Sequence, residues 1–412
     1  MTKQDIIKAA FIVWGRNFYS KMNLSEVAEQ LGVTKPALYR HFPSKESLLD
    51  ALYTDFFDRF AEFVVQLMPT IPPQQTMQEK ALTMATIMAR YFINQKYDFL
   101  FFLNLVLGQE KPGRIFKQEL ERRGLVIGSL DTCWGKKESL SLLRIVSVTV
   151  VFAVARFHLE QKGQMKGVMD EPDRPSAEAA LRSVNELVEH GLCSASAIPK
   201  LPDFPALDRA FLQLLGALNR DGQDALGTSG QILSALARAI GELGPHKASM
   251  NIVAQKAGLS KSSLYSHFES KEEMLRQLFL NEFEALANIL ASALALSGDP
   301  LEKLYLTMRV VTEYLQSHRD ILFVMDWVRL QRISLGVLIP ERSLELFSFA
   351  RDLPLRKSLA HWDALTLARW VLFLVVNQLM VELRHGLGGV ESLDNLKELY
   401  SYILTGVRGW KK

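Results

Sequence analysis

Residues Leu24 to Tyr53 read LSEVAEQLGVTKPALYRHFPSKESLLDALY, and residues Met250 to Phe279 read MNIVAQKAGLSKSSLYSHFESKEEMLRQLF. At an offset of 226 residues, 13 of these 30 pairs are identical, and Ile6/Ile232 and Gly15/Gly241 continue the match upstream. One long period of this kind marks a duplicated domain rather than a solenoid.

The first copy carries the punctuation of two short helices around a tight turn. Asn23 is placed to cap a helix, with Glu26 completing a capping box. Leu24, Val27, Ala28 and Leu31 then share one helical face. Gly32 follows at once and tolerates the left-handed conformation that ends a helix. Thr34 caps the next helix, Val33 and Leu38 stand at hydrophobic-staple spacing, and Pro36 lies in the first turn, where its missing N–H costs little. Two short helices meeting through a glycine turn are a helix-turn-helix. Ser44 caps a further helix with Lys45 in its first turn, an arrangement suited to a phosphate. In the second copy Ser249, Gly258 and Ser260 take the same places, Leu259 pairs with Leu264, and Ser270 with Glu273 forms the capping box.

The remainder reads as helix. Segments 79–107, 137–161, 175–190, 302–316, 363–385 and 392–404 are long and free of internal proline, and alternating strand patterns are absent. The expected fold class is all-α. Three prolines in SASAIPKLPDFP, residues 194–205, read as a semi-stiff linker, followed by an extra helix over 206–218. The expected division is a first head at 1–50, a first helical body at 51–193, a linker with its helix at 194–226, a second head at 227–276 and a second body at 277–412.

Composition narrows the function classes. The formal charge over 412 residues is +3, so affinity for nucleic acid must come from local placement of Lys and Arg. Cys133 and Cys193 are far apart and belong to no Cys/His cluster, which points to buried thiols in a reducing compartment and to no metal or cofactor. The apolar runs 145–155 and 370–381 fall short of the roughly 20 residues of a membrane span, so a soluble cytoplasmic protein without membrane contact is expected. No P-loop, Gly-x-Ser-x-Gly elbow, HExxH or Rossmann glycine pattern is present, and no enzyme is expected.

The strings LGVTKPALYRHFPSKESLL and AGLSKSSLYSHFESKEEML closely resemble the DNA-binding head of the tetracycline-repressor (TetR) family, over residues 5–53 and 231–279. The resemblance implies a transcriptional regulator, with repression as the family's default. Its members normally pair two single-headed chains; two heads on one polypeptide imply an internal pseudo-dimer. The second helix of each unit, 34–42 and 260–268, is then expected in the major groove of double-stranded DNA. By resemblance Tyr39, His41 and Lys45, with Tyr265, His267 and Lys271, match positions that grip the backbone. Thr34 and Ser260 are placed to donate to phosphate. The candidate base readers are Lys35, Pro36, Ala37 and Arg40 in the first head and Lys261, Ser262, Ser263 and Ser266 in the second. Tyr39 has a competing reading as a core aromatic, and His41 reads equally as a packing residue. Phe42 and Phe268 read as core.

The heads differ in charge. Residues 1–47 hold seven Lys/Arg against four Asp/Glu, net +3, whereas 227–273 hold five against four, net +1. Arg40 suits a bidentate contact to guanine and its counterpart Ser266 does not, so a non-palindromic operator is expected. The family's bodies hold a small-molecule pocket, for which an apolar ligand is expected. Phe102, Trp134, Arg156, His158, Trp327, Trp370 and Asn377 are the candidates to line it, and Glu382 is a further polar residue on an apolar helix. The family's four-helix interface would be built here from 137–161 and 175–190 against 363–385 and 392–404. The competing reading is an interaction module in which only the first head reads DNA.

Overall fold

A computed structural model describes residues 1–17, 23–72, 74–103, 112–125, 142–159, 176–193, 201–221, 228–244, 247–330, 345–359 and 362–410. Among them every regular element is a helix, and one isolated antiparallel bridge joins Cys193 to Leu355. The chain divides into two compact units, Met1–Asn185 and Glu186–Lys412.

In the first unit α1 (Lys3–Asn17), α2 (Leu24–Leu31) and α3 (Lys35–Tyr39) make the head. Its core is built from Ile6, Ala10, Trp14, Val27, Leu38 and Phe42, all buried. Gly32 ends α2 at φ 66°, a left-handed geometry that a side chain would strain. Helix α4 (Lys45–Leu67) starts in the head and runs into the body, where α5 (Met77–Asn94), α6 (Lys96–Phe101), α7 (Pro112–Arg122), α8 (Leu142–Leu159) and the start of α9 (Ala177–His190) follow; α9 contains the boundary between the units.

The periodicity over 79–107 predicts one helix, but the structure breaks it at Gln95, whose φ of −120° and ψ of 72° leave the helical region. The break lets four consecutive residues, Asp98 to Phe101, be buried, which one amphipathic stripe along α5 would not allow. Residues 104–107 lie outside the described residues, as do 137–141, 160–161 and the linker stretch 194–200. The core of this body is aromatic. Phe56 meets Phe57 at 4.9 Å, Phe60 meets Phe116 at 5.1 Å and Phe92 meets Phe102 at 4.9 Å between ring centroids. Each such ring stabilises the fold by about 1.5–3 kcal/mol through burial, with a smaller increment from ring geometry.

The second unit contains α10 (Phe204–Asp221), α11 (Thr228–Leu243), α12 (Met250–Ala257), α13 (Lys261–His267), α14 (Lys271–Leu294), α15 (Pro300–Ser317), α16 (Arg319–Leu330), α17 (Ala364–His385) and α18 (Val390–Thr405). The head is α11–α13 and the start of α14. Its body breaks in the same way as the first, at His318 with φ −119° and ψ 64° between α15 and α16. Helix α10 packs on α14 and α15. Tyr305 donates to Asp208 at 2.8 Å, and the Phe204 ring meets that of Tyr305 at a tilt, with centroids 4.7 Å apart.

Residues 186–193 are also part of this second unit. The amides of Leu192 and Cys193 donate to the carbonyls of Ile403 and Leu404 at 2.9 and 3.1 Å. A Cβ on Gly191 would stand 2.6 Å from the amide nitrogen of Gly406, and one on Gly406 would stand 2.5 Å from that of Gly191. The two glycines therefore allow a backbone-to-backbone crossing that any side chain would block.

Helix α17 is long and apolar enough to cross a membrane by length and composition, longer than the run 370–381 alone suggests, and 61% of its most apolar window is buried as core. One carboxylate interrupts it. Glu382 is 2% exposed and accepts hydrogen bonds from Gln378 at 2.7 Å, Ser392 at 2.5 Å and Asn395 at 2.8 Å. It is thus a satisfied internal acceptor that ties α17 to α18. Glu382→Ala leaves these buried donors unmatched and is expected to lower unfolding free energy by roughly 3 kcal/mol. Urea titration of the variant checks this; a loss below about 1 kcal/mol, the size of a single ordinary hydrogen bond, contradicts the buried-network reading.

Candidate nucleic-acid interface

The two short helices α3 and α13 present nearly the same surface. Lys35, Pro36, Tyr39 and Arg40 are exposed, Ala37 is half-buried, and Leu38 and Phe42 point inward. In the second head Lys261, Ser262, Tyr265 and Ser266 are exposed, Ser263 is half-buried, and Leu264 and Phe268 point inward. Tyr39 and Tyr265 are each 44% exposed, which separates both from the core; Phe42 and Phe268 are 6% and 5% exposed. His41 is half-buried and His267 exposed, while Lys45 and Lys271 are both half-buried. Thr34 and Ser260 are exposed at the two N-caps. All sixteen candidate positions thus fall on the exposed or half-buried side of their heads.

The local chemistry of the two faces differs. Ser260 accepts the Ser263 amide at 3.1 Å and lies 2.9 Å from the Ser262 hydroxyl. Ser266 donates back to the Ser263 carbonyl at 2.7 Å, and the Lys261 ammonium sits 5.9 Å from the centre of the Tyr265 ring. In the first head Thr34 makes no capping bond through its side chain. Among the described residues, Lys35, Tyr39, Arg40 and His41 make no side-chain hydrogen bond or ion pair, which leaves the first face's donors available to a ligand.

The next helix in each head starts beside this face. Ser44 accepts the Ser47 amide at 3.1 Å and Ser47 answers by accepting the Ser44 amide at 3.1 Å. In the second copy Ser270 accepts the Glu273 amide at 3.1 Å, but the Glu273 carboxylate takes the Glu269 amide, at 2.7 Å, rather than that of Ser270. The capping box expected there is therefore displaced by one residue. At the head of α2, Asn23 accepts from the Ser25 amide at 2.9 Å. Lys45 and Lys271 stand at the first positions of α4 and α14, where aligned peptide dipoles favour an anion. Burial holds the Lys271 ammonium below the ordinary lysine value, with Glu272 acting in the opposite sense. A phosphate at that point would replace lost hydration with a charge-assisted bond.

Each head is joined to its body by different means. In the first unit Arg59 on α4 donates through Nε to Asp55 at 2.8 Å and through Nη1 to Asp98, and its guanidinium lies 4.8 Å from the Phe11 ring centre. Tyr91 also donates to Asp98, and Phe11 meets Phe101 at 5.1 Å. Burial pushes the Asp98 carboxyl up from its ordinary value, against the pull of Arg59. In the second unit α11 approaches α16 closely at Gly241, where a Cβ would stand 2.9 Å from an Asp320 carboxylate oxygen. Arg59 lies outside the repeated motif, and Ala285 takes its place at the 226-residue offset, so the internal match gives no signal for it.

The candidate pocket residues are dispersed. Phe102 is packed among Phe92 and Phe116, and Arg156 is half-buried near the end of α8. His158 is buried with Nε2 2.8 Å from the Phe92 carbonyl. Trp370 is fully buried against Trp362, with ring centroids 5.9 Å apart, and Asn377 is half-buried on α17. Trp134 and the side chain of Trp327 lie outside the described residues.

The capping geometry makes a direct prediction. Ser260→Ala removes a bond that closes α13 and is expected to cost about 1 kcal/mol, whereas Thr34→Ala costs a few tenths at most. Chemical denaturation of the two variants checks the difference, and equal losses would contradict it.

Comparison with known proteins bears on these heads. The family model for bacterial regulatory proteins of the tetR family matches residues 6–52 and again 232–278. The HTH-type transcriptional activator FasR of Mycolicibacterium smegmatis is 27% identical over 113 residues, which is 27% of this chain and 52% of the relative. The fatty acid metabolism regulator protein of Bacillus subtilis is 30% identical over 88 residues, 21% of this chain and 42% of the relative. The chain thus spans about half the length of these curated relatives. The solved structure of the fatty acid degradation regulator FadR from Bacillus halodurans is 19% identical, covers 44% of this chain and 97% of its own, and superposes with a TM-score of 0.32. Two matches to the tetR family model, each spanning the glycine turn, the Tyr-x-His face and the Ser-Lys helix start described above, show that residues 6–52 and 232–278 are two tandem heads of the kind found in bacterial regulatory proteins of the tetR family.

Proposed function

We propose that the chain is a sequence-specific DNA-binding transcriptional regulator, a cytoplasmic repressor that acts as a single-chain pseudo-dimer. The observation that carries the reading is the repetition of one exposure pattern on α3 and α13, with Lys, Leu, Tyr, His and Phe kept in place while Pro36/Ser262, Ala37/Ser263 and Arg40/Ser266 differ. Tyr39/Tyr265 and Lys45/Lys271 supply backbone contacts in both heads, and Arg40 supplies base readout in the first alone. A pseudo-dimer is supported by the pairing of 191–193 with 403–406 in the second unit, since the ends of α9 and α18 are the family's interface elements. Carrying both interface halves in cis frees assembly from protein concentration. The division into two heads, two bodies and an intervening 194–226 segment belongs to the same proposal. The name of the Bacillus subtilis relative supports a role in fatty acid metabolism and an apolar ligand that releases DNA by favouring another spacing of the heads. Repression is the sign proposed, although FasR is named an activator.

Selection of bound duplexes from a random pool at stated moderate salt tests the reading. Two unlike half-sites at one fixed spacing are expected. Tyr39→Ala and Tyr265→Ala should each weaken binding, and Arg40→Ala should cost about 1–3 kcal/mol at its own base pair only. Loss confined to Tyr39→Ala would favour an interaction module with one reading head, an alternative that the internally bonded serines of α13 favour. Salt-sensitive background binding with no enriched sequence would overturn the proposal.

A further inference from the structure

A cleft of about 270 Å³ lies on the first unit between α4 and α5, on the outer side of the Arg59 joint. Arg59, Gln66, Arg90 and Gln95 supply its polar lining, and Phe63 supplies an apolar wall. Two cations face it. Arg90 is exposed and makes no ion pair among the described residues. Arg59 commits Nε to Asp55 and Nη1 to Asp98, while Nη2 has no protein partner among the described residues. Glu62, exposed and without an ion pair there, is the one carboxylate in the lining. A guanidinium with Nη2 uncommitted and a second, unpaired guanidinium lining the same cleft suit a planar or tetrahedral oxyanion.

We infer that this cleft binds a small oxyanion, a carboxylate or a phosphate, held between Arg59 and Arg90, and that its occupant competes with Asp98 for Arg59. The volume suits a compact ligand below the usual size of a drug-like pocket. Glu62 sets selectivity by repelling dianions that reach toward it and by accepting from a ligand N–H or O–H. Competition has a structural consequence. Arg59 touches Phe11 on α1, Asp98 on α6 and Asp55 on α4, so a shift of its guanidinium loosens the joint between the first head and its body. The counterpart residue Ala285 cannot do this, so the response is confined to the first unit. The site stands or falls independently of whether the heads bind DNA.

Calorimetric titration of the full chain with inorganic phosphate and, separately, with butyrate tests the site. Saturable binding of at least one probe is expected, weakened about tenfold or more in Arg90→Glu, a surface variant whose thermal unfolding should match that of the unsubstituted chain. The tighter probe identifies the headgroup class. Binding of neither probe, or binding unchanged in Arg90→Glu, overturns the site. Hydrogen exchange in α1 and α6 should quicken at saturation, and again in Arg59→Lys without ligand; bound probe with unchanged exchange overturns the link to the joint.

Discussion

What each head presents to solvent depends on a pair of buried side chains four residues apart, Leu38 with Phe42 and Leu264 with Phe268. Anchoring these two positions leaves the tyrosine after the leucine, and the residue after that, no direction but outward. The left-handed glycine before each helix sets the angle of entry, with φ of 66° at Gly32 and 70° at Gly258. Truncating such an anchor typically costs 2–5 kcal/mol, a large share of the stability of one domain. The anchors recur as identical residues in both copies, whereas the outward residues differ at Pro36/Ser262, Ala37/Ser263 and Arg40/Ser266. The scaffold is shared, as are the outward Lys, Tyr and His, and the surface chemistry departs at the three positions between them.

That division explains how one chain can hold two inequivalent heads. The serines of α13 form a local set of hydrogen bonds, and its lysine leans toward Tyr265. The first face keeps Lys35 and Arg40 uncommitted. The head–body joints differ in the same spirit: an ionic and aromatic cluster about Arg59 in the first unit, and the Asp320 and Phe323 side chains seated against Gly241 in the second. A fused pair is released from the requirement that both halves be the same, because symmetry is imposed only on identical chains.

The heads were legible in the sequence because their determinants are local. Caps, glycine turns and inward leucines act within a few residues, and a repeat at a fixed offset doubles the signal. The long body helices were legible from apolar periodicity, but the break at Gln95 was not. Its cause is the burial of Asp98 against Arg59 and Tyr91, partners 39 and 7 residues away. The shift of the second capping box to Glu269 was equally hidden, since the spacing allows both arrangements. Glu382 was visible as an odd carboxylate in an apolar helix, yet its meaning needed Ser392 and Asn395 from the next helix. Arg59 gave no signal at all, as it lies in no motif and has no repeat partner.

The central claim is that one polypeptide brings two reading heads to one stretch of duplex. Sedimentation equilibrium of the full chain with a duplex carrying both selected half-sites tests it most directly. The account predicts a complex of one chain per duplex, and its loss when the spacing between half-sites changes by half a helical turn. Two chains per duplex, with binding indifferent to removal of one half-site's partner head, would contradict it.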